Sequence, residues 1–491
     1  QTQCPHSRKG IKFMKESHQS RMVPIAVVAC AALTNLSGSC LAAKGVFNVR
    51  EYGAAGDGKK VDTVAINKAV KACSDAGGGQ VRFGPGRYIS GTVHLKDNVT
   101  LFLEAGATLV GTTKLDDYQY FTPPANTPEA RFGKWHSALI LGVGVKNVNI
   151  VGPGVIDGNK VFNPRGEEKM RGPHTIILGN SHNVTISNIT IKDSANYAVM
   201  IEFSEQVDVR RVKVTGGWDG VHFRGWVDKP CRDINIIDCQ FFTGDDSIAG
   251  RYVNNILIKD CIVNSSCNGI RIIGPVTNMI VQDCLFYGPG LFPHRSSNRR
   301  NMLSGIILQP GGWDACKGPL EDVLISDVTM KNVASPVTVL LKRPGNTVDN
   351  IIITDLTATG VYRAAASVES WCETACGRVV FRDAGIEYEG GGTTQQAKEP
   401  PLKPGVDVRT LPVWGFFAKN ARDITLENVN LYCAKSDLRP AIFCQDVERL
   451  FLDAVRFPQF PNAAGPIVLK NVKEVKSRDV DIAIPEPAEK K

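Results

Sequence analysis

An eight-residue pattern, apolar at positions one, three, six and eight with Asn or Asp usually at five, recurs along most of this chain and restricts its fold more than any other feature. It reads VTISNITI from Val184, INIIDCQF from Ile234, ILIKDCIV from Ile256, MIVQDCLF from Met279, VLISDVTM from Val323, IIITDLTA from Ile351 and ITLENVNL from Ile424, with looser copies from Val207, Leu450 and Val475. From 184 to 279 the starts step by 23, 27, 22 and 23 residues, and the next step is 44, twice 22. Alternation within a copy is the period of a strand, and a near-constant step between copies marks stacked coils. A coil of two or three short strands cannot bury its apolar face alone, so neighbours must stack at about 4.8 Å. The expected fold is all-β, a right-handed parallel β-helix. Leucine-rich repeats share the period, but their Leu-rich consensus and helical returns are missing.

Composition agrees. With 491 residues, 43% hydrophobic and 22% charged, the chain is neither disordered nor collagenous nor a multi-span membrane protein. Its 47 glycines are close to a tenth of the chain, against about 7% on average, as expected where many short strands each need a bend. Asp62-Thr63 followed by Ile66, Val70 and Cys73 at helical spacing, then Gly77-Gly78-Gly79, predicts a short N-capped helix with a glycine stop. It would cover the first coil, where an open end exposes unpaired strand edges. Residues 44–483 are expected to form one β-helix domain, with 387–411 a surface excursion that interrupts the period and 484–491 a tail. Covered ends suggest a monomer.

Residues 1–43 read as an export signal. Basic residues up to Arg21 precede an apolar run from Met22 to Leu33 and a small-residue stretch ending at Ala42-Ala43, where cleavage is expected. The run is shorter than the roughly 20 residues needed to span a bilayer. Val27-Val28-Ala29-Cys30 also resembles a bacterial lipoprotein signal, which would place a lipid anchor on Cys30. Either way the protein is expected to be secreted, periplasmic or on the cell surface. This segment carries +4 of the formal net charge of +8. Without a Lys/Arg cluster interleaved with aromatics, nucleic acid is not an expected partner. Of 14 cysteines, 11 remain after the signal. Cys372 and Cys376 are the best disulfide candidates in an exported chain, and Cys239, Cys261 and Cys284, at one place in three successive coils, are expected to stack inward as buried thiols. No His or Cys pair stands at a zinc-like spacing beside them, and neither metal nor cofactor is expected.

The acids fall into columns. Aligning VKVTGGWDGV from Val212, CQFFTGDDSI from Cys239 and CIVNSSCNGI from Cys261 without gaps puts Asp219, Asp246 and Asn268 in one column, and Trp218, Asp245 and Cys267 in the next. Carboxylates one coil apart lie about 5 Å from each other. Such crowding pushes at least one proton affinity up, leaving one acid protonated and another ionised, the division that glycoside cleavage needs. Asp and Asn also cap turns and stack as ladders, so a lone pair would be structural. Three converging acids beside Trp218, His222, Arg251 and Arg271 point to catalysis instead.

These residues resemble glycoside hydrolase family 28, the polygalacturonases and their relatives, over nearly all of 45–483. DGKKVDTVAINKAVKAC, GGGQVRFGPGRYISGTVHLKDNVTLFLEAGATLVG, VNIVGPGVIDGN from Val148 and DLRPAIFCQDVERLFL from Asp437 are similar to that family. Of its four motifs, Gly217-Trp218-Asp219 keeps only the Asp of Asn-Thr-Asp, and Gly244-Asp245-Asp246 matches Gly-Asp-Asp in full. The resemblance implies a pectin lyase-like solenoid in which Asp245 protonates the leaving oxygen while Asp219 and Asp246 activate water, with inversion. Carboxylates about 5 Å apart would, by spacing alone, point to retention. Cys267-Asn268-Gly269 replaces the Gly-His-Gly motif with an amide that cannot titrate, and Ile307 and Gln309 stand where the family's uronate-binding Arg-Ile-Lys would fall. Arg271, Arg299 and Arg300 are the candidates to replace those cations, each with a solvated surface charge as the rival reading.

Trp135, Trp218, Trp226, Trp313, Tyr362 and Trp371 are candidate stacking faces for sugar rings, with Trp218 and Trp226 preferred because they flank the first catalytic turn. His222 and His294 receive no role. The expected substrate-binding set is therefore Asn268, Arg271, Trp218 and Trp226, and the expected partner a polysaccharide. Three functions remain on one scaffold: a hydrolase of a pectin-like or related polysaccharide, a lyase or epimerase, and a non-catalytic carbohydrate-binding β-helix. The intact acids favour hydrolysis.

Overall fold

The computed structural model describes residues 45–123, 136–313 and 315–480. The export signal, its cleavage site, Cys30, Trp135 and residues 484–491 lie outside the described residues. No helix among those described is long and apolar enough to cross a membrane.

The chain forms the expected right-handed parallel β-helix. First positions of the repeat pair rung to rung in one unbroken ladder: Val184, Val207, Ile234, Ile256, Met279, Val323, Ile351, Val379, Ile424, Leu450 and Val475. Every copy read from sequence has its register, and the structure adds the one at Val379, where VVFRDAGI carries Ala384 and Gly385 in place of larger residues. All the ladder residues from Val184 to Leu450 are buried. Each such side chain withdrawn from water contributes about 1.5–3 kcal/mol, so a charge at Ile256 would break the stack at its centre.

The Asn or Asp at position five also acquires a cause. Asn188, Asp238, Asp260, Asp283, Asp327, Asp355 and Asn428 all have φ between 52° and 56°, the left-handed region that Asn and Asp tolerate better than other side-chain-bearing residues. At Asn188, Asp238 and Asp260 the chain passes from one strand to the next, and at Asp283, Asp327, Asp355 and Asn428 the same backbone conformation falls within a single longer strand. Immediately after three of these residues Cys239, Cys261 and Cys284 are buried as expected, their thiols 3.3, 3.2 and 3.1 Å from the carbonyls of Ile237, Lys259 and Gln282.

Other expectations change. Helix Thr63–Asp75 buries Ala65, Ile66, Ala69, Val70 and Cys73 over the first coils, but Asp62 does not cap it. The Asp62 carboxylate instead accepts from the backbone N–H groups of Ala55 and Gly56 at 2.8 and 2.9 Å, pinning the preceding loop. Cys372 and Cys376 are not bridged, and all eleven described cysteines are free. Cys376 faces the core, whereas Cys372 is half-buried beside Ser370 and Thr374. The excursion between strands Cys376–Tyr388 and Phe416–Cys433 is more than surface. Buried Asp437 accepts from Gly392 N and pairs with Arg439, which donates to Leu411 O. Buried Glu369 takes a two-pronged bond from Arg409 at 2.9 and 2.6 Å. Between these staples, Val406 and Asp407 reach a cavity on the solenoid wall.

Candidate active site

The cavity of about 240 Å³ lies over the face built from strands Val221–Arg224, Ile248–Arg251 and Asn268–Ile272. Parallel pairing of Val221 with Ile248 and of Ile248 with Ile270 sets Asp219, Asp246 and Asn268 on successive rungs, as the gap-free alignment required. The Gly220 N–H bond to Asp246 O and the Ser247 N–H bond to Asn268 O, both 3.0 Å, fasten those turns together. Glycine is needed here: a Cβ on Gly244 would lie 2.4 Å from Gly217 O, and Gly217 itself has φ 74°. The Asp245 turn is held by Thr243 and Ser265 hydroxyls donating to Asp245 O, each at 2.8 Å.

All three acids are buried and line the cavity, and each has a different partner. Asp219 Oδ2 is 2.8 Å from His222 Nδ1. Asp245 Oδ2 accepts from Arg171 Nη2 at 2.7 Å and is 3.7 Å from His294 Nε2. Asp246 Oδ1 accepts from the Asn268 backbone and side-chain amides at 3.0 and 2.8 Å, and its Oδ2 lies 3.5 Å from Arg271 Nη1.

These partners separate the proton affinities. Burial and the charges of Asp245 and Asp246 raise Asp219 well above the usual carboxylate range, with Arg171 offsetting only part. Asp246 is also raised, by burial first, against the pull of Arg271. Burial works to raise Asp245 too, but His294 and the Arg171 guanidinium outweigh it and hold that carboxyl below its ordinary value, the closer guanidinium having the stronger grip. His222 is pushed down by burial and by Arg224 and Arg251. A neutral ring then donates from Nδ1 to Asp219 while Nε2 accepts from Arg224 Nε at 3.1 Å.

The expected binding residues divide. Asn268 and Arg271 are buried on the cavity wall. Arg271 pairs across the ladder with Ile307, the site of a missing family cation, and with its amide oxygen turned inward Gln309 accepts from Arg271 Nε and Nη2 at 2.8 and 3.1 Å. A cation thus stands one rung from where the sequence lacks one. Trp218 is fully buried; Arg171 lies 3.8 Å from its ring centroid and His294 packs edge-on, so neither face is open to a sugar. Trp226 packs against Tyr252, outside the cavity. Among the described residues Trp313 is the tryptophan that lines it, half-exposed beside Arg271. Arg300 is spent on the carbonyls of Gly290 and Leu291, whereas Arg299 lines the cavity against the Cys267 sulfur at 3.0 Å.

Sequence reasoning missed Arg171, Glu167 and Glu168 entirely, set His222 beside the acids without a role, and gave His294 none. His222 was within reach, since extending the acid column by three positions gives His222, Ala249 and Arg271. Arg171 and the two glutamates sit on a loop outside the repeat, where no column leads. Among the described residues, Glu168, Asp245 and His294 form one set of cation-ligating atoms within 4.8 Å, and Asp245, Asp246 and Cys267 another. In the first, the Arg171 guanidinium already bridges both carboxylates.

Comparison with known proteins bears on the family and the fold. Residues 46–290 match the family model described as rhamnogalacturonase A/epimerase, pectate lyase-like. A probable polygalacturonase of Vitis vinifera is 28% identical over 211 residues. The chain is a divergent glycoside hydrolase family 28-like protein. That alignment covers 40% of this chain and 43% of the grapevine protein, so the chain spans less than half of that relative. The exopolygalacturonase of Thermotoga maritima superposes with TM-score 0.60 at 18% identity, covering 79% of this chain and 92% of that one. A surface adhesin of Streptococcus pneumoniae does so at 0.51 and 18%, covering 83% and 92%. At such identity both speak for the fold of this family-28-like chain.

Proposed function

We propose that the protein is an exported hydrolase that cleaves glycosidic bonds of an acidic, pectin-related polysaccharide, with Asp219, Asp245 and Asp246 as its acid and base. The observation that carries this reading is the convergence of three buried carboxyls on adjacent rungs of one cavity, their proton affinities driven apart by different partners. The polygalacturonase relative supports the substrate class, as does Arg271 on the wall.

In the reaction, Asp245, which stands ionised against Arg171 in the free protein, first takes up a proton and then gives it to the glycosidic oxygen as the bond from that oxygen to the anomeric carbon breaks. Water adds its oxygen to the anomeric carbon and passes a proton to Asp246 or Asp219, whose raised proton affinities make them effective bases once ionised. Asn268 aims Asp246 through two hydrogen bonds. The resemblance assigns inversion, which product anomers followed by NMR would check.

The test is a panel of neutral and acidic polysaccharides. Hydrolysis releases reducing ends without the ultraviolet absorbance of an unsaturated uronate, whereas a lyase produces both together. A binding β-helix without turnover, the reading favoured by the altered motif at Asn268, would retain ligand and release nothing.

A further inference from the structure

One carboxylate of the three is claimed by a cation that bond cleavage itself does not require. Arg171 lies on the loop between strands Val155–Asp157 and His174–Gly179. Its Nη2 donates to Asp245 Oδ2 at 2.7 Å and to Glu168 Oε1 at 2.6 Å, and its Nη1 is 3.8 Å from Asp219 Oδ1. The guanidinium lies over the Trp218 ring and is buried. An acid tied to a guanidinium in this way has no proton to give, and the oxygen that should face the leaving group is occupied.

We propose that Arg171 is a specificity-determining latch: a substrate carboxylate near the scissile bond draws its guanidinium off Asp245, and the released carboxylate takes up a proton from solvent water, which lets it serve as the acid. This rests on the hydrolase reading above and narrows it to anionic substrates.

Three observations support the latch. Arg171 Nε is buried without a hydrogen-bond partner, with Glu167 no nearer than 4.0 Å. That leaves an unused donor beside the Nη groups, which is the fork a carboxylate grips with both oxygens. Second, Glu168 belongs to the same loop and is partly exposed, so the guanidinium can turn toward a ligand with one partner still attached, and no buried charge is stranded. Third, competition is selective. A neutral sugar offers only hydroxyl acceptors, about half as strong toward a guanidinium as an ionised group, and cannot outbid two carboxylates at 2.6 and 2.7 Å.

The charged and titratable groups around this pair come from every side. Glu167 and Glu168 belong to the Arg171 loop, Tyr197, Asp219 and Asp246 to the ladder, Cys267 to the next turn, and His294, Arg295 and Arg299 to the segment after Pro293. None of the other cations bonds Asp245 as closely as Arg171.

Kinetics on trigalacturonate and on its carboxyl-reduced, neutral counterpart test the latch. The wild type should prefer the acidic trimer by about a hundredfold or more in kcat/KM. In Arg171→Met that preference should shrink to less than about tenfold, and the basic limb of its kcat/KM profile should move to higher pH by about one to three units, because Asp245 without the neighbouring cation keeps its proton longer. Equal turnover of both trimers by the wild type, or an unchanged ratio and profile in the variant, overturns the latch.

A second measurement does not depend on turnover or on the variant folding. In wild-type protein with isotope-labelled aspartate carboxyl carbons, galacturonate but not galactose should shift the Asp245 resonance, identified by its loss in Asp245→Asn. A resonance that responds to both sugars or to neither overturns the latch. If no substrate yields reducing ends while galacturonate alone shifts Asp245, the hydrolase reading fails and the anion-driven release stands.

Discussion

Two arginines flank the carboxyl cluster, and they reach it by different routes. Arg271 stands on the ladder, paired with Ile307 in the next coil, 3.5 Å from Asp246 and held by Gln309. Arg171 comes from a loop, donates at 2.7 Å to Asp245 and leaves its Nε without a partner. The first is braced by the solenoid and suited to a fixed contact with substrate. The second is held by side chains that a ligand can replace. A periodic wall thus supplies the fixed half of the site, and a non-periodic loop supplies the half that responds.

The largest effect expected is at the acid itself. Asp245→Asn removes the proton donor and should lower turnover by about 10²–10⁴-fold with the circular dichroism spectrum unchanged; wild-type activity in this variant would remove Asp245 from the chemistry. Next come the arginines, whose variants should differ in kind. Arg271→Met should raise KM for an acidic oligosaccharide by about ten- to a hundredfold, the loss of roughly 1.5–3 kcal/mol of charge-assisted bonding. It should also move the acidic limb of the profile upward, since Asp246 loses the cation that favours its ionised form. Arg171→Met should move the basic limb. Variants that shift the same limb would erase the distinction between the two sides.

Asn268→Ala is expected to be milder, removing one of the two N–H donors to Asp246 Oδ1 while the backbone donor remains. Turnover should fall several-fold, about 1 kcal/mol, because Asp246 is aimed less firmly; an unchanged kcat would show that the Asn268 side chain does not position the base. Smallest is the contrast between tryptophans. Trp313→Ala should raise KM a few-fold, on the order of 0.5–1.5 kcal/mol for one stacking face, while Trp226→Ala should leave KM unchanged, as measured by initial rates.

What could be read in advance follows the same division. Wherever the chain repeats, one residue's place implies its neighbour's, because parallel coils bring equivalent positions to adjacent rungs. The ladder from Val184 to Val475, the left-handed corners at Asn188 and Asp238, and the rung of Asp219, Asp246 and Asn268 were all legible for that reason. Arg171, Glu168 and Asp407 belong to loops outside the repeat, and nothing in their own sequence says which part of the wall they touch. Trp218 failed differently. Its place beside Asp219 was right, but a ring in that column turns inward beneath Arg171, so adjacency in sequence did not mean access to substrate.

The most direct test of the account is cleavage of an acidic polysaccharide in isotopically heavy-oxygen water, followed by mass spectrometry of the fragments. Hydrolysis by the carboxyl cluster predicts one heavy oxygen at the anomeric carbon of each new reducing end, with labelled fragments from Asp245→Asn forming about 10²–10⁴-fold more slowly. Fragments that carry no heavy oxygen, or labelled fragments at the wild-type rate from the Asp245 variant, would contradict it.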